Sequence, residues 1–152
     1  MKNDNSNKQS NASKPMLANR LFKFRAWVKE QNRMIKVFGF NEHLVFEQTW
    51  DSPSIKENIF EIEDCHIMQF TGLLDKNGNK IFEGDIVTYK RSVGNWTGQT
   101  MITTHKIIFM EEVNAFVMDY GSSYIKLRKH WGYEYEVIGN IFENPDLLQG
   151  VI

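Results

Sequence analysis

Residues 68–87 read MQFTGLLDKNGNKIFEGDIV, from Met68 to Val87, and this stretch decides the fold class. The segment Asp75-Lys76-Asn77-Gly78 predicts a tight turn, because glycine, and to a lesser degree asparagine, accepts the positive φ that such turns need. The apolar segments on either side, 67–70 and 80–82, are then predicted to be strands. Gly84-Asp85 predicts a second bend, with Asp85 bonded to the backbone that follows it. The stretch therefore predicts β structure.

The flanking sequence continues the β pattern. Over residues 21–29, apolar and polar side chains alternate, which is the period-2 signature of a strand with one buried face. Residues 34–38 are predicted to pair back with it across a turn at 30–32. Further strands are predicted at 86–89, 101–110, 113–120 and 135–142. Segments 43–46 and 124–131 each fit more than one kind of structure.

These elements predict a single mainly β (β-rich α+β) domain over residues 21–152. Several short strands without a long amphipathic helix favour a small barrel or sandwich over a parallel sheet. In a final helical turn, Asn144 is predicted as the N-cap and Pro145 as the first helical residue. Leu147 and Leu148 are expected to plug an open end of the sheet. The predicted parts are an N-terminal β-hairpin region (21–79), an SH3-like barrel (80–142) and the C-terminal turn (143–152).

Composition excludes several classes of protein. Of the 152 residues 41% are apolar, enough for one core, and the formal charge of −1 disfavours a strongly basic DNA-binding protein. Cys65 is the only cysteine, which excludes an internal disulfide and predicts a cytoplasmic protein. No apolar run has secretory or membrane-spanning length. Residues 1–20, rich in Asn, Ser and Lys, are predicted to be a disordered tail.

Three blocks of sequence follow one another in a characteristic order. They are FRAW at 24–27 with Met34 after it, the stretch 68–87, and VIGNIFENP at 137–145 continuing to Leu148. In this order and spacing the chain resembles the YopX family, proteins encoded by phages and prophages, chiefly of Gram-positive bacteria. The resemblance covers nearly everything after residue 20. It implies a phage origin, but it implies no activity and transfers no catalytic residues.

No catalytic, metal or cofactor site is predicted. Glu61, Glu63, Asp64 and His66 form the one dense group of metal-type ligands, and solvated charges at an element boundary are its more common explanation. A metal-dependent hydrolase built on these four residues is the least favoured hypothesis. Cys65 carries no recognisable nucleophile signature, and no G-x-S-x-G motif is present.

Two loops, 90–100 and 124–133, are predicted to contact other molecules. Trp96 lies between glycines, and exposed tryptophans are frequent interface anchors, although Trp96 and Trp50 could instead pack inward. The predicted interaction residues are Trp96, Lys126, Arg128, Lys129 and Trp131. The basic and aromatic segment 126–131 also suits single-stranded nucleic acid. Against that alternative, residues 81–152 hold six Lys or Arg and nine Asp or Glu, a net charge of −3.

The leading hypothesis is a non-enzymatic phage or prophage accessory protein in the host cytoplasm. It would bind a protein of host or phage origin, with a target in host defence or regulation, or assemble with itself as a homo-oligomer. Neither a membrane nor a cofactor is expected to take part. The alternative is a single-stranded nucleic-acid-binding protein that uses residues 126–131.

Overall fold

The structure of the protein, a computed structural model, describes residues 23–48, 58–93, 99–129 and 134–149. Within these ranges the chain forms eleven strands in two antiparallel sheets, which confirms the mainly β prediction. The predicted tail, Trp50, Trp96 and Trp131 lie outside the described residues.

The first sheet is built from the N-terminal strands. Their bounds are β1 (Phe24–Val28), β2 (Arg33–Phe40), β3 (Leu44–Glu47), β4 (Ile59–Glu61), β5 (Cys65–Leu74) and β6 (Lys80–Phe82). The spatial order is β4-β3-β2-β1-β5-β6. β1 and β2 form the predicted hairpin, and Asn32 supplies its turn with a φ of 47°. One face of the sheet buries Ala26, Val28 and Ile35, as the alternation predicted.

The second sheet follows directly. Its strands are β7 (Asp85–Val93), β8 (Gln99–Met110), β9 (Ala115–Asp119), β10 (Tyr124–Lys126) and β11 (Glu134–Asn140), in the order β10-β9-β8-β7-β11. Its core contains Val87, Ile107 and Met118, and the stacked rings of Tyr89 and Tyr135 lie 5.6 Å apart. Ile81 of β6 is buried in this core as well, so the first sheet contributes to the second.

Gly84 joins the two sheets at the predicted second bend. Its φ of 77° is readily adopted only by glycine, and a Cβ here would lie 3.1 Å from Sδ of Met68. Its N–H donates to the carbonyl of Ile107 at 2.8 Å, and its own carbonyl accepts from the N–H of Ile141 at 2.9 Å. The bend therefore fixes β7, β8 and the end of β11 against the first sheet.

The described residues contain no closed SH3-like barrel, because the two edge strands of the second sheet do not pair. The edge of β11 is taken instead by the turn after β5: the N–H of Lys76 donates to the carbonyl of Tyr135 at 2.8 Å, and Asp75 accepts from the N–H of Val137 at 3.1 Å. Residues 80–82, assigned from sequence to the barrel, pair with β5 in the first sheet.

The predicted C-terminal helical turn is present as a 3-10 turn, Pro145–Leu148. Asn144 precedes it but makes no side-chain cap, because its Oδ1 accepts from the N–H of Asn140 at 3.4 Å. Leu147 is exposed and does not plug the sheet, whereas Leu148 is half-buried beside β8.

Candidate functional site

A cleft of about 820 Å³ lies where the first sheet meets β7 and β11. Alternation along β1 places Arg25 on the face opposite Ala26 and Val28, so that its side chain points toward the second sheet. The lining includes Lys23, Lys36, Phe38 and Lys80, and we call this site the lysine cleft.

An ion pair between Arg25 and Asp85 forms the floor of the lysine cleft. Nη2 of Arg25 lies 2.6 Å from Oδ1 of Asp85, whose side chain is 1% exposed. The second carboxylate oxygen accepts from the N–H of Phe82 at 2.7 Å. Burial raises the pKa of Asp85 above its ordinary value, although the Arg25 charge and the Phe82 N–H act in the opposite direction. The prediction that Asp85 bonds the backbone after it is wrong, since it bonds the preceding turn and Arg25.

The guanidinium of Arg25 is not fully satisfied by these contacts. It lies 4.8 Å from the ring centroid of Phe82, and Nη2 also donates to the carbonyl of Glu83 at 3.3 Å. Its Nε is buried and has no acceptor among the described residues. A buried donor without an acceptor costs about 1–3 kcal/mol.

The walls of the lysine cleft carry positive charge beside an exposed ring. Lys23, Lys36 and Lys80 do not take part in the ion pairs that the described residues form. Phe38 lies at a shift in the β2–β3 register, and its side chain is 82% exposed. Its exposure follows the alternation of β2, in which the side chains of Lys36, Phe38 and Phe40 are all on the exposed face.

Asp75 fixes the rim of the lysine cleft at Gly78 and Asn79. Its Oδ1 accepts from the N–H groups of Asn77 and Asn79, both at 2.8 Å, and its Oδ2 accepts from Nδ2 of Asn79 at 3.2 Å. With the Val137 N–H, these bonds lower the pKa of Asp75, although burial acts to raise it and is the largest single effect. The turn predicted from DKNG is therefore stabilised by one side chain that also bonds β11.

The residues predicted to bind partners lie elsewhere. Lys126 ends β10, and Arg128 and Lys129 are exposed in the segment after it. Lys129 lines a second cleft of about 450 Å³ beside Glu134, whose carboxylate lies 3.5 Å from Nζ of Lys90. An acidic side chain, Glu134, therefore lies among the basic residues of this region: it pairs with Lys90 and lines the same cleft as Lys129.

The acidic group considered as a metal site does not converge. His66 stacks on Phe142 with ring centroids 5.0 Å apart, and Glu61, Glu63 and Asp64 lie on the preceding strand and 3-10 turn. Within the described ranges, no three His, Cys, Asp or Glu side chains are placed to hold a metal ion.

His105 is a buried residue to which the sequence assigned no role. Its Nδ1 lies 3.3 Å from the carbonyl oxygen of Asp119, and its ring stacks on Tyr120 with centroids 3.7 Å apart. Burial lowers its pKa, with the Asp119 contacts acting in the opposite direction, so the ring is neutral at neutral pH. This stack lies at the point where β9 ends beside β8.

Sequence reasoning missed the lysine cleft because its residues are far apart in the chain. A signal was nevertheless present in β1, where Arg25 and Trp27 alternate with buried Ala26 and Val28. A tryptophan on the polar face of a strand indicates that this face is also covered, and Trp27 in fact stacks on Phe142 at 5.4 Å.

Comparison with known proteins agrees with this architecture. The family model described as YopX protein matches residues 23–149. The chain belongs to the YopX family. Two solved structures are similar: protein EF1440 from Enterococcus faecalis, at 27% identity over 85% of this chain and 99% of that one, with a TM-score of 0.53; and protein yopX from Bacillus subtilis, at 16% identity over 86% and 98%, with a TM-score of 0.51. The yopX likeness shows the fold alone.

The search of curated proteins returned no match to this YopX-family chain. Within its described part, no helix has the length and apolar character needed to cross a membrane.

Proposed function

We propose that this YopX-family protein is a non-enzymatic binding module that takes an acidic, partly apolar segment of a protein partner into the lysine cleft. The observation that carries the proposal is the grouping of Lys23, Lys36 and Lys80 around the exposed ring of Phe38. Ammonium groups attract carboxylates, while an exposed aromatic ring offers an apolar anchor.

The floor of the lysine cleft does not oppose an anionic occupant, because the Asp85 carboxylate is 1% exposed and is paired with Arg25 at 2.6 Å. Lysine side chains are hydrogen-bond donors without an acceptor, which suits the walls of the cleft to hold a carboxylate.

A protein partner fits better than a nucleic acid. A nucleic acid tracks its phosphates over a long surface, and residues 81–152 carry a net charge of −3 that repels such a polyanion. A short acidic segment meets only the local positive charge of the lysine cleft. The setting we propose is the cytoplasm of a phage-infected or lysogenic bacterium, supported by the family resemblance and by Cys65 as the single cysteine.

Amide chemical-shift perturbation in NMR spectra tests the proposal. The probe is a synthetic peptide of about 12 alternating Glu and Leu residues, long enough to cross the cleft when extended at about 3.3 Å per residue. We expect the largest shifts at Lys23, Lys36, Phe38 and Lys80. Fluorescence polarisation of the labelled peptide then gives the affinity of each variant.

The matched variants remove equal charge from two places. In the cleft variant Lys23, Lys36 and Lys80 become Gln; in the control variant Lys126, Arg128 and Lys129 become Gln. We expect the cleft variant to bind about tenfold more weakly, since each exposed ion pair contributes up to about 1 kcal/mol, and the control to bind like the wild type. The proposal would be refuted if the cleft variant bound the peptide as tightly as the wild type, or if the chemical-shift changes were confined to residues 126–129.

A binding experiment with labelled oligo(dT) tests the nucleic-acid alternative. Salt-sensitive retention of labelled oligo(dT) that is lost in the control variant, with no peptide binding, would favour the segment 126–131 instead.

A further inference from the structure

Part of β8 is an open sheet edge. β8 pairs with β7 from Lys106 to Gln99, but its pairing with β9 ends where Lys106 faces Asp119. On that side, residues 99–104 have no strand partner among the described residues. They extend beyond the His105–Tyr120 stack as part of a two-stranded arm. Half of the backbone N–H and C=O groups in an edge strand point away from its neighbour and are available for pairing.

The open edge is uncharged and exposes apolar side chains. Residues 99–104 read QTMITT, with three threonines and an isoleucine, whose β-branched side chains favour strands. The side chain of Ile102 is 62% exposed and that of Met101 is 43% exposed. Proteins normally protect a long edge with lysine, proline, a bulge or a covering loop. Residues 99–104 contain no lysine, proline or bulge. The 3-10 turn Pro145–Leu148 lies beside β8, where Leu148 lines a cavity with Met101 and Thr103, but Ile102 stays 62% exposed.

The strands at the ends of the two sheets are short or covered in the described chain. β4, β6 and β10 have three residues each and contain Glu61, Lys80 and Lys126, respectively. The seven-residue edge of β11 is bonded by the turn at Asp75 and Lys76. The open edge of β8 differs from these terminal strands because it is unpaired over six residues and carries no charge.

We propose that this edge pairs with the same edge of a second copy of the chain, in antiparallel orientation about a two-fold axis. In such a pair the central residue faces its own copy. Centring the axis on Ile102 brings the two copies of this 62% exposed apolar side chain together. Met101 then faces Thr103 of the second copy, and Thr100 faces Thr104. Any charge at the centre would face an identical charge, so an uncharged segment is what self-pairing requires.

The size of the edge sets the strength of the association. Six paired residues span about 20 Å and form up to about six interchain hydrogen bonds. An interface of this length buries less than the roughly 1,200 Å² of stable complexes, so the expected dissociation constant is micromolar. The second sheets of the two subunits then form one continuous sheet across the axis. None of residues 99–104 lines the lysine cleft, which therefore stays outside the contact.

Sedimentation velocity of the full chain over about 5–500 μM tests the pairing. We expect the wild type to shift from monomer to dimer across this range. Ile102→Lys and Ile102→Glu should each remain monomeric, because equal charges would face each other at the axis. An equimolar mixture of the two variants should dimerise again, since Lys then faces Glu. Recovery by mixing also shows that each variant is folded.

Tyr124→Lys is the matched control, because Tyr124 is a 41% exposed apolar residue on the short edge strand β10. It should dimerise like the wild type. A wild type that stays monomeric at the highest concentration, an Ile102→Lys variant that dimerises normally, or a mixture that fails to pair would overturn the proposal. The lysine-to-glutamine cleft variant should dimerise normally, so the two proposals fail separately.

Discussion

Asp75→Asn is expected to destabilise the fold, because it disrupts the contact between the turn after β5 and the edge of β11. The amide oxygen of Asn can still accept from the N–H groups of Asn77 and Asn79, which lie 2.8 Å from Oδ1 in the wild type. The amide NH2 then takes the place of Oδ2. It faces two other donors, the N–H of Val137 at 3.1 Å and Nδ2 of Asn79 at 3.2 Å.

The expected loss of unfolding free energy is about 2–3 kcal/mol. A hydrogen bond to a charged group contributes about 1.5–3 kcal/mol, and two such bonds are lost. The side chain of Asn79 is exposed and regains water, which reduces its share of the loss. Val137 is half-buried, so its unpaired N–H regains little contact with water in the variant, and most of the cost of desolvating it remains.

Urea unfolding followed by tryptophan fluorescence measures this effect, with Glu112→Gln as an exposed control of the same chemical change. The pKa of Asp75 is lowered in the folded protein, so its stabilisation is present at neutral pH. That stabilisation is lost as the pH falls below about 4 and through the folded-state pKa. The wild type should therefore approach the stability of Asp75→Asn in acid. Equal stability of the two proteins at pH 7 would contradict the reasoning.

Two further predictions concern the junction between the sheets. Arg25→Met should cost about 3–5 kcal/mol at pH 7, because it leaves the Asp85 carboxylate buried and unpaired. This loss of unfolding free energy should shrink as the pH falls, because a buried carboxyl group with a raised pKa favours folding when it is protonated. Urea titrations that give the same loss at every pH would argue against this account. Gly139→Ala should cost about 1–3 kcal/mol, because its Cβ would lie 2.5 Å from Oδ1 of Asn144. Gly39→Ala, with nothing within 4 Å, should unfold near the wild-type temperature, and equal melting shifts for the two variants would exclude the steric explanation.

The local elements were predictable because the residues that specify them are adjacent in sequence. The period-2 alternation of β1 gave both the strand and its buried face, and the DKNG turn and the bend at Gly84 appear where predicted. Family membership was also predictable, because the three blocks of sequence stand in the family's order.

Strand pairing over long distances was not predictable. The DKNG turn predicted that residues 80–82 return beside the preceding strand, as β6 does beside β5. The predicted barrel, however, did not allow for the Asp75 turn on the edge of β11. The roles of Arg25 and Asp85 were missed for the same reason. Each looks like an ordinary polar residue of a strand or a turn until the chain brings them to 2.6 Å across 60 positions.

The sequence by itself determined that this chain forms short antiparallel strands with specific turns, and that it belongs to the YopX family. Only the tertiary structure decided which strands meet, and with that the lysine cleft and the open edge of β8. The physical reason is that alternation and turn chemistry act over a few residues, whereas a cleft or a free edge depends on which distant segments exclude water from one another.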